Sequence, residues 1–507
     1  MSADAVVGEI QRFMRVAVIG AGFSGIAMGV RLLREGVQDF AIFERDTEVG
    51  GVWRDNTYPG VGVDTPSKLY SLSTDPYPDW ARLFAKGDQL LAYTREVVAR
   101  HRLLPHLRFG HAVEDARWDP DEGMWVLTTS RGVYRARFLI SAAGAVADPS
   151  VPDVPGLADF PGVRFHSARW DHDHDLRGRR VAVIGTGASA VQFVPLIQPL
   201  VAELHVVQRT AAWVMPKADH AIPERTRRRL RRRPALMAAE RLLYYAITEA
   251  VAAGRRVRVI RAQFEKVCLK HLDAQVPDPE LRRRLRPDFE YMCKRPLISN
   301  DYLPALGSPN VTLHTGGLVE VRGSTVIAGD GGKAEVDTVI LNTGFDIGIT
   351  SPIARRIHGA HGVSLAGYWA DDPRGYKGVT VPGFPNLFLM QGPNATSGVS
   401  SALMFGEAQA GYIADALRRF ARNDIATVHV RPDREREWTR RVRKMSARTT
   451  YEVGGCRSYY LNRKGENVVM WPAWTAGYQL RTRRFDPRAY DLTHASGDGR
   501  PARRETS

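Results

Sequence analysis

A chain of 507 residues, 44% of them hydrophobic, is too long for a single core and long enough for about two to four domains. Lys and Arg number 71 against 55 Asp and Glu, a net charge of +16, but much of the excess is local, in Arg225–Pro234 and Arg481–Arg488; such runs are solvated helix faces, and nucleic acid is not expected as a partner. Three widely separated cysteines, Cys268, Cys293 and Cys456, form no C-x-x-C pair, so a disulfide framework, a zinc site and a redox-disulfide mechanism are not expected, and Cys293 reads as a packing residue.

The first thirteen residues, MSADAVVGEIQRF, lack a hydrophobic signal core, and no segment approaches about 18 consecutive apolar residues. A cytoplasmic protein is expected, with membrane contact only the minor reading, as a basic amphipathic surface of the helical segment 217–292. From Arg15, RVAVIGAGFSGIAMGVRLLREG reads as a short apolar strand, a glycine loop and an apolar-periodic helix. Gly20 permits the tight turn, Gly22 lets a pyrophosphate approach the backbone, and Gly25 lets helix pack on strand. A second strand, FAIFERD, ends at Glu44, whose carboxylate suits the ribose hydroxyls of an adenosine. The following stretch, Asp46–Asp64, brings Gly50, Gly51 and Trp53, glycines for close approach and an aromatic to border a flat ring; its length suits a flavin better than a nicotinamide.

FPGVRFHSARWD, Phe160 to Asp171, places Phe160, Gly162, His166 and Trp170 at fixed offsets just ahead of a second copy of the unit. In that copy, RVAVIGTGASAVQFVPLI, the residues Gly185, Gly187 and Ala190 stand 165 positions after Gly20, Gly22 and Gly25. The same shift carries Glu44 onto Arg209. A carboxylate there suits a free ribose diol and repels a phosphate, whereas an arginine favours a 2′-phosphate. The first unit is therefore expected to hold a cofactor without that phosphate, and the second NADPH.

These motifs resemble the class B flavoprotein monooxygenases and, within them, the Baeyer–Villiger monooxygenases. The Phe-x-Gly-x-x-x-His-x-x-x-Trp pattern followed by Asp171 matches that family's fingerprint, and GGVWRDNTYPGVGVD, CKRPLISNDY, LMQGPNATSG and CRSYYLNRKGENVVMWP extend the likeness from Arg15 to about Tyr490. Relatives that oxidise amines and sulfides carry Phe or Tyr in place of the tryptophan, so Trp170 favours ketone oxidation. The resemblance implies roles residue by residue. Asp64 lies near the reacting flavin. Lys294 joins Arg209 and Thr210 on the NADPH 2′-phosphate. Arg295 stabilises the anionic flavin peroxide. His166 lies in the linker joining the nucleotide domains and affects their coupling. Departures are Asn342-Thr343-Gly344 for Ala-Thr-Gly, Ser458-Tyr459-Tyr460 for Ser-Trp-Tyr, and QRTAAW for QRTPxW.

The expected architecture is α/β: two Rossmann-like dinucleotide-binding domains, for FAD and NADPH, with a helical insertion. The FAD domain is expected at 1–149 and 376–507, the NADPH domain at 150–216 and 293–375, and the insertion at 217–292. The return, FPNLFLMQGPNATSG, ends in a turn where Asn394 donates to the flavin ring or caps the next helix. The tail ASGDGRPARRETS reads as disordered. The expected activity is oxygen insertion beside the carbonyl of a small hydrophobic ketone or aldehyde, using O2. The competing readings are an N- or S-oxygenating flavoprotein and a flavin-binding redox sensor that consumes NADPH without productive oxygenation.

Overall fold

The computed structural model describes residues 12–495. The tail read as disordered lies outside the described residues beyond Ala495, as does most of the N-terminal stretch. Two sheets with parallel cores organise the chain. In the first, Arg12–Ile19 lies between Phe40–Phe43 and Gly132–Ser141, parallel to both, and Leu107–Arg108 continues the sheet beyond Phe40–Phe43. Gly132–Ser141 is shared. Its first half pairs antiparallel with Met124–Thr129, and its last residues pair parallel with Leu387–Leu389. Phe40–Phe43 is buried at every position, as a strand covered on both faces must be, and its sequence is accordingly an unbroken apolar run.

The second sheet runs Val311–His314, Glu203–Val207, Arg180–Ile184, Thr338–Leu341, Val163–His166, with every pair parallel. The four strands leading to each glycine loop and its neighbours take the same order in both sheets. The fifth place is filled differently. Leu387–Leu389 reaches the first sheet from far down the chain, whereas Val163–His166 precedes the central strand of the second. The stretch Phe160–Asp171 thus supplies an edge strand and the turn that leaves it.

The chain crosses between the sheets twice, and the crossings hold each other. Ser150 N donates to Gly344 O at 2.9 Å, Asp346 N to Asp148 O at 2.9 Å, and Thr343 Oγ1 to Ser150 O at 2.6 Å. The insertion contains helices Glu224–Arg232, Pro234–Ala253, Arg258–Gln275 and Pro279–Leu285. It is latched to the segment just after Asp64: Lys68 Nζ lies 3.0 Å from a Glu240 carboxylate oxygen, and Arg241 donates to Ser71 O at 2.9 Å.

The cysteine reading needs correction. Cys293 and Cys456 form a disulfide across a sequence separation of 163, with Cα atoms 6.0 Å apart. Local spacing gives no sign of such a pair, because it is the fold that brings residue 293, ahead of Lys294-Arg295, against the C-terminal segment that carries Ser458-Tyr459-Tyr460. The bond closes a long loop, which on chain-entropy grounds is worth up to about 5 kcal/mol. Cys268 is the free and buried third cysteine, its thiol pushed up to about 12, first by burial. Thiol titration of the denatured chain is expected to give one reactive cysteine before reduction and three after; three without a reductant would remove the cross-link.

Candidate active site

The first glycine loop owes its shape to backbone proximity. Gly20 has φ 98°, and a Cβ there would lie 2.7 Å from Ala142 O. At Gly25 a Cβ would lie 1.8 Å from Gly20 O, so helix Phe23–Arg34 rests directly on the turn. Gly22 starts that helix with no side-chain cap, leaving its N-terminal N–H groups aimed outward, and Gly51 packs so close that its Cβ would meet Gly22 Cα at 3.0 Å. Glu44 is buried at the end of Phe40–Phe43. Its Oε2 accepts from Ala21 N at 2.8 Å and its Oε1 from Asp46 N at 3.1 Å, so the carboxylate is anchored at the mouth of the loop. Trp53 meets Tyr70 edge to face at 5.5 Å.

The second loop repeats the construction. Gly185 has φ 103° and presses on Asn342 O, and Gly187 starts helix Ala188–Ile197, again uncapped. Ala190 stands buried where the first unit needs Gly25. Past the end of Glu203–Val207, Arg209 is exposed and Thr210 half-buried. Lys294 sits over the Phe289 ring at 5.0 Å. Its ammonium is held below the ordinary lysine value, first by burial, then by the positive charge of Arg209, with Asp288 opposing. Two cations are therefore brought near one another, and neither is in an ion pair among the described residues.

The next residue is paired with the first unit. Arg295 forms an ion pair and a hydrogen bond with Asp64, the two side chains being 33% and 25% exposed, so the pair opens onto a crevice. Burial pulls the guanidinium down, but Asp64 and then the phenol oxygens of Tyr460, Tyr459 and Tyr70 more than offset it, and the group lies above its ordinary value. The loop bearing Asp64 is gripped by a residue that the sequence does not single out. Gln192, on the second unit's helix, accepts from Tyr58 Oη at 3.0 Å and from Gly62 N at 3.2 Å through Oε1, and donates to Gly62 O at 3.0 Å through Nε2.

Phe160, Gly162, His166 and Trp170 lie along the edge strand of the second sheet and the turns that flank it, Phe160 in the cluster on one face and Trp170 against the cluster on the other. Phe160 is buried, and Gly162 passes beneath it, where a Cβ would lie 2.8 Å from the ring and 2.3 Å from Asp337 O. Trp170 packs between Phe165 and Phe193, both at 5.2 Å. His166 ends the edge strand below the paired crossings, and its ring lies 5.8 Å from Phe345. Asn394 corrects the helix-cap alternative. Its Nδ2 donates to Asn467 O at 2.9 Å and Met470 O at 3.2 Å, tying the turn to the C-terminal segment, and the helix that follows is capped by Ser401.

His166 Nδ1 accepts from Ala168 N at 3.1 Å, and its pKa is lowered to about 4, first by burial, with the Gly344 backbone opposing and Arg169 assisting. Both the burial and the bond require the neutral ring. The unfolded chain binds the proton near the ordinary value of about 6.5, so this contribution is complete above that pH and is lost as pH falls towards 4. His166→Asn, which keeps an acceptor for Ala168 N, is expected to flatten the fall in denaturant-measured stability between about pH 6.5 and 4; an unchanged slope would contradict the assignment.

Comparison with known proteins bears on the whole chain. Residues 17–267 match the family model described as pyridine nucleotide-disulphide oxidoreductase. A Baeyer–Villiger monooxygenase of Streptomyces coelicolor is 44% identical over 486 residues, covering 96% of this chain and 93% of that protein. Another, of Pseudomonas aeruginosa, is 40% identical over 486 residues, covering 95% and 92%. The crystal structure of cyclohexanone monooxygenase from Rhodococcus sp. Phi1 bound to NADP+ matches with a TM-score of 0.84 at 27% identity, over 96% of this chain and 100% of that one. Identity of this extent runs through both sheets, the crossings between them and the crevice: the chain belongs to the Baeyer–Villiger monooxygenase family.

Proposed function

We propose that the protein is an FAD-dependent, NADPH-consuming monooxygenase that converts a small hydrophobic ketone or aldehyde into an ester or lactone. One atom of O2 enters between the carbonyl carbon and a neighbouring carbon; the other leaves as water with the hydride of NADPH and a proton. The observation that carries this reading is the ion pair that joins Arg295 to Asp64 on a loop of the first unit. The preceding residue, Lys294, lies over the Phe289 ring, and its ammonium is lowered by burial and by the positive charge of Arg209 on the second unit. One short segment thus serves both a phosphate site and a reaction crevice.

The residues fit both cofactors. The first unit, at 1–149 and 376–507, would hold FAD through Gly20, Gly22, Gly25, Gly51 and Trp53, with Glu44 at the adenosine ribose and Asn394 fixing the facing turn. Its uncapped helix start and abutting glycine backbones are a cradle that any Cβ would fill. The second unit, at 150–216 and 293–375, would hold NADPH through Gly185 and Gly187, with Arg209, Thr210 and Lys294 on the 2′-phosphate. The helical insertion at 217–292 walls the crevice. When bound, FAD supplies the electron transfer and the activation of O2 that no side chain provides.

Arg295 contributes a permanent positive charge. Its raised pKa means that the charge persists when the crevice is closed to water, where it stabilises negative charge on the reacting oxygen far better than an exposed cation does. Asp64 orients the guanidinium and neutralises it while the crevice is empty. Tyr70, half-buried beside them with its phenol pushed up to about 12, chiefly by desolvation, stays protonated as a hydrogen-bond donor.

Two substitutions test these assignments. Arg209→Ala is expected to raise the KM for NADPH roughly 10- to 100-fold and to erase most of the preference over NADH, as loss of a charge-assisted phosphate contact does; steady-state kinetics with an intact preference would refute the phosphate site. Arg295→Ala is expected to keep NADPH-driven bleaching of the flavin while ester formation from a ketone panel falls about 10²- to 10³-fold and hydrogen peroxide replaces it. A normal ester yield would take Arg295 out of the reaction.

A further inference from the structure

The insertion carries a surface that the oxygenation chemistry does not explain. Helix Pro234–Ala253 turns Arg241, Tyr245 and Glu249 inward, Arg241 to Ser71 and Glu249 to Thr475, whose N and Oγ1 both donate to the carboxylate. Its outer face is apolar. Leu242 is 66% exposed, Leu243 58% and Ile247 46%, and Ala246 and Ala250 are exposed with them. From Leu242 to Ala253 the only charged residue is the buried Glu249. Ala476 N donates to Tyr245 Oη at 2.9 Å, which sets helix Thr475–Arg481 alongside and adds exposed Trp474 and Leu480, at 52% and 70%. A water-facing surface seldom gathers so many large apolar side chains.

Cations frame this face at both ends. Before the helix, Arg225, Arg228, Arg229, Arg232 and Arg233 are exposed; the carboxylates nearby, Glu224 and Asp79, are taken by Arg227 and Arg231. Beyond its far end, Arg256, Arg441, Lys444, Arg448 and Arg481 surround a hollow of about 570 Å³ together with Met445, with no carboxylate among its lining residues. None of these ten cations has an ion-pair partner among the described residues.

We propose that this face docks on the anionic headgroup layer of a lipid bilayer, the outer side of Pro234–Ala253 seated at the headgroup–acyl boundary and the two basic clusters on the phosphates. An apolar helix face flanked by arginines is the pattern that lies in such an interface, and each cation adds attraction to an anionic surface. This makes the minor reading of the sequence, membrane contact through the helical segment, the favoured one. No helix among the described residues is long and apolar enough to cross a bilayer, so the contact is on one side only. A second copy of the chain is the poorer occupant. It would bring the same cations and the same net charge of +16 against the patch, which repel. Glu240 and Arg241 fasten the inner side of the helix to Lys68 and Ser71, so the docked face lies over the segment that follows Asp64.

Flotation of the FAD-loaded full chain with vesicles tests the docking. Recovery with vesicles of mixed phosphatidylglycerol and phosphatidylcholine is expected to exceed that with phosphatidylcholine alone by about tenfold or more, and to fall as salt is raised to about 0.5 M. The double variant Leu243→Glu, Ile247→Glu is expected to lose about tenfold of this recovery while retaining bound FAD and its rate of ketone oxidation in buffer. Failure to float with phosphatidylglycerol, equal recovery on both vesicles, or flotation undiminished in the double variant would overturn the proposal. So would a dimer in size-exclusion chromatography with light scattering that the double variant splits and that does not bind vesicles, since that result assigns the face to a second copy.

Discussion

A guanidinium and a carboxylate from different units meet in the crevice, and much of the surrounding structure keeps them there. Arg295 follows the second unit's return into the core, and Asp64 ends a glycine-rich loop of the first. A partly buried pair of this kind is not a strong source of stability, because desolvating two charges offsets most of their attraction. It is instead a demanding constraint on position: losing either partner leaves an uncompensated charge. The contacts that maintain it are specific and polar. Gln192 holds the Asp64 loop through three hydrogen bonds, and the paired crossings near residues 148–150 and 342–346 fix how the two sheets face each other.

The two nucleotide units show how one backbone plan is tuned by single side chains. Both start a helix at an uncapped glycine, and both place a residue just past the second strand at the loop's mouth. In the first unit that residue is a buried glutamate clamped by two backbone N–H groups; in the second it is an exposed arginine near a lysine. The backbone geometry alone selects a dinucleotide. The proposed assignment of FAD to the first unit and NADPH to the second rests on the sign of the charge at that one place, because a phosphate and a carboxylate cannot share it. The Gly25-to-Ala190 exchange marks a second difference: helix and turn touch in the first unit and have room for a methyl group in the second.

The C-terminal segment links site and surface. Asn394 and the disulfide of Cys456 both tether it to residues around the crevice, and Thr475 ties its last helix to Glu249 of the insertion. The segment after Asp64, the helices that follow residue 224, the turn at Asn394 and the C-terminal segment are thus fastened to one another or to Cys293 by an ion pair, hydrogen bonds and a cross-link. The outer face of Pro234–Ala253 stays exposed at Leu242, Leu243 and Ile247.

By itself the sequence determined what depends on short stretches of chain. The glycine loops, the strands that lead to them, the helical insertion and the Glu44-to-Arg209 exchange all follow from residue types within about one βαβ unit, because hydrophobic period and backbone conformation are local properties. The fingerprint Phe160–Trp170 was legible as a pattern, but its physical basis, an edge strand with Gly162 pressed under Phe160, appears only in the fold. Tertiary structure alone decided the rest. Cys293 met Cys456, Gln192 gripped Gly62, Leu387–Leu389 completed a sheet begun at Arg12, and Asn394 bonded the C-terminal segment in preference to a helix. Each joins residues more than 70 positions apart, and such pairs are set by the order of strands and the path of the crossings, which no local spacing encodes.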